Sequence, residues 1–186
     1  MGVSVIGAEG CRNLVDGLSK LIDFEKDLPA NIFFGDEFKF WFFERPLFDF
    51  LDSFSGLIRV NLLSFNSDVL IKFSGCDLIS GCCFSLGDSD IESDVLSIHE
   101  GFRDFFGGRV GYPIVIFNEG FDWVAFESAH EEIGVIGVRA STLKLRFVEF
   151  LDSNFISAKD IVELSDGHSA DSRTAEALRK SYMSTL

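Results

Sequence analysis

Four groups of residues have the types that could do chemistry. His130-Glu131-Glu132 sets an imidazole beside two carboxylates, donors suited to a metal ion or to acid–base catalysis. Neighbouring residues of an extended chain point alternately, and no second histidine stands at helical spacing, so the group reads as a solvated turn between two strands. The run "DSDIESD", residues 88–94, repeats oxygen donors at every second position as a calcium loop does. It departs further on, with Ser93 where the loop needs glycine and His99 where it needs a bidentate glutamate. Asp88, Asp90 and Glu92 read instead as charges that cap a helix and complement its dipole.

The third group is "VSVIGAEG", a strand leading into a turn with Gly7 and Gly10, as in a dinucleotide site. Glu9 occupies the place of the middle glycine, where a side chain obstructs a pyrophosphate and its charge repels it. Cys76, Cys82 and Cys83 form a C-x5-C-C group without the paired short spacing of structural zinc. Together with Cys11 they are expected to be reduced, buried thiols. His99 and His168 have no nucleophile or carboxylate set beside them by the sequence. No local signature of a Ser-His-Asp or Cys-His arrangement is present, and neither a cofactor nor a catalytic residue is expected.

The elements that must position these residues alternate between helical and strand periods. Leu14, Leu18, Leu21 and Ile22 recur at helical spacing and predict a helix over 11–27, stopped by Pro29. "EFKFWFF" predicts a strand. Pro46 opens a short helix through Leu51, and "LIRVNLLSF" and "DVLIKF" read as an antiparallel pair joined at Asn66-Ser67. "CDLISGCCFSL" reads as another strand. Ile91, Val95, Ile98, Phe102 and Phe105 share one helical stripe, ended by Gly107-Gly108. "YPIVIF", "FDWVAFE" and "IGVIGVR" have the spacing of a three-stranded meander. Within "FDWVAFE", Phe121, Trp123 and Ala125 are expected on one face and Asp122, Val124 and Phe126 on the other, as in a central strand covered on both sides. Helices over 143–151 and 171–183 complete the reading. The expected fold is α+β: one domain over 1–186, a mainly antiparallel sheet of about five to seven strands and packed helices.

Composition bounds the function. The chain has 186 residues, 47% of them apolar, and 22 phenylalanines against two tyrosines, so most aromatic surface has no polar handle and must be packed away. Thirty acidic residues against 16 basic ones give a net charge of −14, which opposes contact with phosphate backbones or anionic lipid. Direct nucleic-acid binding is not expected on that ground. No run reaches the ~18 apolar residues of a membrane span, and the start lacks a basic segment followed by an apolar one, so a cytoplasmic protein is expected.

An acidic chain without a catalytic motif suits recognition of a basic protein partner, since carboxylates compete for the lysines and arginines that such a partner uses for phosphate. Through "GFDWVAFESAHEEIGVIGV" and its bulk composition, the chain resembles the immunity proteins of bacterial toxin–immunity systems. The resemblance implies a small, acidic, cytoplasmic α+β inhibitor with a tryptophan in a sheet hairpin. Asp88, Asp90, Glu92 and Asp94 form one candidate partner-binding cluster; Asp122, Glu127, Glu131 and Glu132 form the other. Acidic secretion chaperones, which hold effector segments on apolar patches, are the alternative. An enzyme with a non-local active site comes third.

Overall fold

Among the described residues, segments of alternating or continuous apolar residues assemble into one eight-stranded sheet in which every neighbouring pair is antiparallel. The structure, a computed structural model, describes residues 3–88, 90–167 and 170–183. The strands are β1 (Ser4–Val5), β2 (Phe38–Glu44), β3 (Val69–Lys72), β4 (Cys83–Leu86), β5 (Ile114–Asn118), β6 (Trp123–Glu127), β7 (Ile133–Arg139) and β8 (Ile156–Ser157). Their spatial order is β1-β4-β3-β5-β6-β7-β2-β8. The α+β class is as expected. Eight strands replace the expected five to seven because β1 and β8, two residues each at the sheet edges, are too short to show an alternation.

Helices cover both faces. α1 (Ala8–Leu18) leads in from β1, and α2 (Leu51–Phe65), α3 (Ile91–Phe102) and α5 (Leu145–Asn154) bury their apolar stripes in one core with Trp123, Ala125 and Ile136. A short irregular turn, α4 (Phe105–Gly108), follows α3. On the other face α6 (Ala158–Ser165), α7 (Ala170–Tyr182) and the segment 19–37 pack with Phe42, Val124 and Phe126. Full burial of each large apolar side chain contributes about 1.5–3 kcal/mol, so a sheet sandwiched in this way has two cores to hold it. None of the helices is long and apolar enough to cross a membrane, among the described residues.

The meander is as expected: β6 lies between β5 and β7, and all of its residues are buried. Trp123 and Ala125 face one core, Val124 and Phe126 the other. Phe121 departs from its expected face. Its φ of 54° puts it in a left-handed turn before the strand, and its ring stacks on Phe117 in the second core, with centroids 5.5 Å apart.

The segment "LIRVNLLSF" is the C-terminal part of α2, not a strand. Phe54, Leu57, Ile58 and Asn61 fall on one buried helical stripe, and the buried Asn61 carboxamide accepts a hydrogen bond from Trp123 Nε1 at 2.8 Å. The expected hairpin turn at Asn66 is the helix stop: its N–H makes the last helical bond, to the Leu62 carbonyl at 3.0 Å, and its φ of 52° then turns the chain out of the helix. Within "CDLISGCCFSL" only Cys83–Leu86 is strand, because Ser74, Gly75 and Gly81 take positive φ and bend the chain before it. α1 ends at Leu18, where the expectation ran to residue 27.

Candidate functional site

Strand β8 pairs with β2 only at Trp41 and Phe42, so the rest of that sheet edge is flanked by open space on each side. Toward Phe38 lies a cavity of about 520 Å³ whose rim carries Lys39 and Lys159 against Asp36 and Asp152, so its charges balance. Toward Glu44 lies a groove of about 810 Å³. Ile133, Ile156, Ile161, Leu164, Ala175 and Leu178 give it an apolar floor between the sheet end and helices α6 and α7. Ile156 and Leu164 are 37% and 44% exposed, well above core residues. The rim carries Glu44, Glu131 and Glu132 beside His130, with no lysine or arginine in the lining. Among the described residues, none of these three glutamates takes part in an ion pair.

The acidic rim is held in place from below. The turn after β6 closes on Ser128, whose Oγ accepts hydrogen bonds from the N–H groups of His130 at 3.0 Å and Glu131 at 2.8 Å. Asp27, from the distant segment before Pro29, accepts from Ala129 N–H at 2.9 Å and His130 N–H at 3.2 Å. Its other oxygen accepts from Leu28 N–H at 2.8 Å. Backbone donors that would otherwise be solvated are thus bound to fixed oxygens, and Glu131 and Glu132 project from a preorganised turn.

The remaining sequence candidates are not brought together. Asp88 is exposed, Asp90 caps α3 by accepting from Ser93 N–H at 3.2 Å, and Glu92 ion-pairs with Arg59. Asp94, expected at a partner surface, is 2% exposed and turned into the fold, where burial and then the charge of Asp90 raise its carboxyl above the usual range. Asp122 is half-buried and locked into the β5–β6 turn, its Oδ2 accepting from Asn118 Nδ2 at 2.8 Å. Glu127, expected in the second cluster, is fully buried because it is the last inward-facing residue of β6. Its Oε1 accepts from Leu47 N–H at 3.0 Å, and burial pushes its carboxyl up to about 8. A buried neutral acid cannot present charge to a partner.

The histidines are equally separate. His99 Nδ1 lies 3.1 Å from the Phe48 carbonyl and 3.5 Å from Asp49, His130 is exposed at the groove rim, and His168 lies outside the described residues. Three cysteines are buried as expected, while Cys76 is exposed on the loop before β4. No three His, Cys, Asp or Glu side chains could hold a metal ion, among the described residues.

Sequence reasoning missed Glu44, Asp27 and the floor residues Ile156 and Leu164. Glu44 lies one residue beyond the predicted strand "EFKFWFF" and has no signal of its own, and Asp27 carries no sign of its contact 102 residues away. Comparison of the chain with protein-family models, curated proteins and solved structures gives no match.

Proposed function

We propose that this chain is an acidic binding protein that docks a basic protein partner on the groove between the β2–β7 sheet end and helices α6 and α7 and neutralises it, as an immunity protein inhibits a toxin. Binding rather than catalysis, and a cytoplasmic setting, belong to this reading. The observation that carries it is the rim: Glu44, Glu131 and Glu132, which make no ion pair among the described residues, line the groove with an apolar floor. Carboxylates so placed attract a basic surface over several ångströms, and the floor then buries the apolar side chains that come with it. A turn fixed beforehand by Asp27 and Ser128 loses little conformational entropy on binding.

A secretion chaperone is the second reading, favoured by the exposed Ile156 and Leu164, which would hold an apolar effector segment whatever its charge. Fluorescence anisotropy with a labelled amphipathic peptide of lysines and leucines, and with its glutamate–leucine counterpart, separates the two. The lysine peptide should bind, and Glu131→Lys with Glu132→Lys should weaken it about tenfold at low salt. Asp88→Lys with Glu119→Lys, the same charge change at the far end of the sheet, should leave affinity near that of the unaltered chain. Equal loss in both variants would reduce the effect to net charge, and equal binding of both peptides at high salt would select the chaperone reading.

A further inference from the structure

Cys11, in the first turns of α1, and Cys82, at the entry to β4, are separated by 71 residues, yet their sulfurs lie 3.7 Å apart, in van der Waals contact. Both are buried, at 3% and 1% exposure. We propose that this pair is a redox site, at which two-electron oxidation by a low-molecular-weight disulfide joins α1 to β4 through a reversible Cys11–Cys82 bond.

The surroundings allow the bond to close. A disulfide needs the sulfurs at about 2.05 Å, so one side must move by less than two ångströms. α1 is joined to the sheet edge by the two-residue strand β1 and by the Ile6 N–H to Cys83 carbonyl hydrogen bond of 2.9 Å. Gly7 precedes the helix, and a Cβ there would meet nothing within 4 Å, so the chain entering α1 is loosely packed at that residue. On the other side, Cys82 follows Gly81, at φ 75°, on an irregular loop.

The chemistry is a pair of exchanges. The Cys82 thiolate attacks one sulfur of the small disulfide and releases a thiolate; the Cys11 thiolate then attacks the Cys82 sulfur and releases the second. Two protein thiols lose two electrons and two protons, and the reagent gains them as two thiols. Burial holds the Cys11 thiol above its ordinary range, so its attack on the Cys82 sulfur from the closed fold is slow; the neighbouring Cys83, which takes no part, is pushed up to about 12. Lys72 opposes burial: its buried ammonium, tied to the carbonyls of Phe73 at 2.6 Å and Asp77 at 2.7 Å, favours the thiolate of both. The Cys82 sulfur itself lies 3.8 Å from that Asp77 carbonyl, so a local opening of the 74–82 loop uncovers it.

The purified chain, equilibrated with mixtures of reduced and oxidised glutathione, quenched in acid and alkylated, tests this. Trypsin cuts after Arg12, Lys72 and Arg103, leaving Cys11 on one peptide and the other three cysteines on another. Mass spectrometry without reductant should show these two peptides joined, lighter by two hydrogens than the separate pair. Cys76→Ala and Cys83→Ala should preserve the linkage, while Cys11→Ala and Cys82→Ala should abolish it. The oxidised unaltered chain should melt several degrees higher than the reduced one, because the bond closes a long loop of the unfolded chain. The unaltered chain alone suffices if a variant fails to fold, since fragmentation of the joined peptides locates the bond. Four alkylated cysteines at the most oxidising ratio, or a bond through Cys76 or Cys83, would overturn the proposal.

Discussion

The carboxylate of Asp27 reaches across 102 residues to accept the N–H of Ala129 at 2.9 Å, and so fixes the turn that carries Glu131 and Glu132. The segment 19–37 thereby supports an acidic rim to which it contributes no charge of its own. Asp27→Ala removes an acceptor for three backbone donors and should cost roughly 1–3 kcal/mol of stability. It should also speed amide exchange at Ala129 and His130 while leaving the sheet centre unchanged. Hydrogen exchange followed by NMR reads both; unchanged rates at these two amides would show that Ser128 alone holds the turn.

Trp123 and Asn61 make the second long-range contact of this kind, joining the central strand to α2. Asn61→Leu fills similar space but leaves the indole N–H buried without an acceptor and the Ser67 carbonyl without its 2.6 Å donor. Urea unfolding should show a loss of about 1–3 kcal/mol. An unchanged midpoint would mean that Trp123 reaches another partner.

The β2–β7 register sets Phe43 opposite Gly134, and a Cβ at Gly134 would overlap the Phe43 ring. Gly134→Ala should therefore destabilise by about 1–3 kcal/mol, as overpacked cores do. Gly111→Ala, where nothing lies within 4 Å, is the comparison and should be near neutral. Equal thermal midpoints for the two variants would contradict this packing.

Burial pushes the Glu127 carboxyl from 4.5 up to about 8. Between those values the folded chain holds a proton that the unfolded chain has released, so stability falls as pH rises through the window and levels off above it. Glu127→Gln keeps the shape and the acceptor for Leu47 N–H but cannot ionise. Its stability relative to the unaltered chain should therefore climb between pH 5 and pH 8, by at most ~1.4 kcal/mol per pH unit. Parallel pH profiles in urea unfolding would place the folded carboxyl near its ordinary value.

Much of the fold was legible because apolar period and turn chemistry agreed: β5, β6 and β7 each alternate or run apolar between Asn, Gly and acidic turns. α2 was misread because Leu57, Ile58, Val60 and Leu62 satisfy a strand run as well as a helix stripe, and only the buried Asn61 decides between them. The candidate site was half legible. Glu131 and Glu132 stand in a turn that the sequence marks, whereas Asp94 and Glu127 carry the same charge but lie on inward faces. Side-chain direction at an element's end depends on phase by a single residue, which composition does not reveal.

The most direct test of the groove is an NMR titration of the isotopically labelled chain with the lysine–leucine peptide. Amides of Glu131, Glu132, Ile133, Ile156, Leu164 and Leu178 should shift together and saturate, with little change at Asp88, Asp90 or Glu119. Shifts centred on Asp88 to Glu92, or on the balanced cavity beside Phe38 and Lys159, would contradict the assignment of the groove as the partner site.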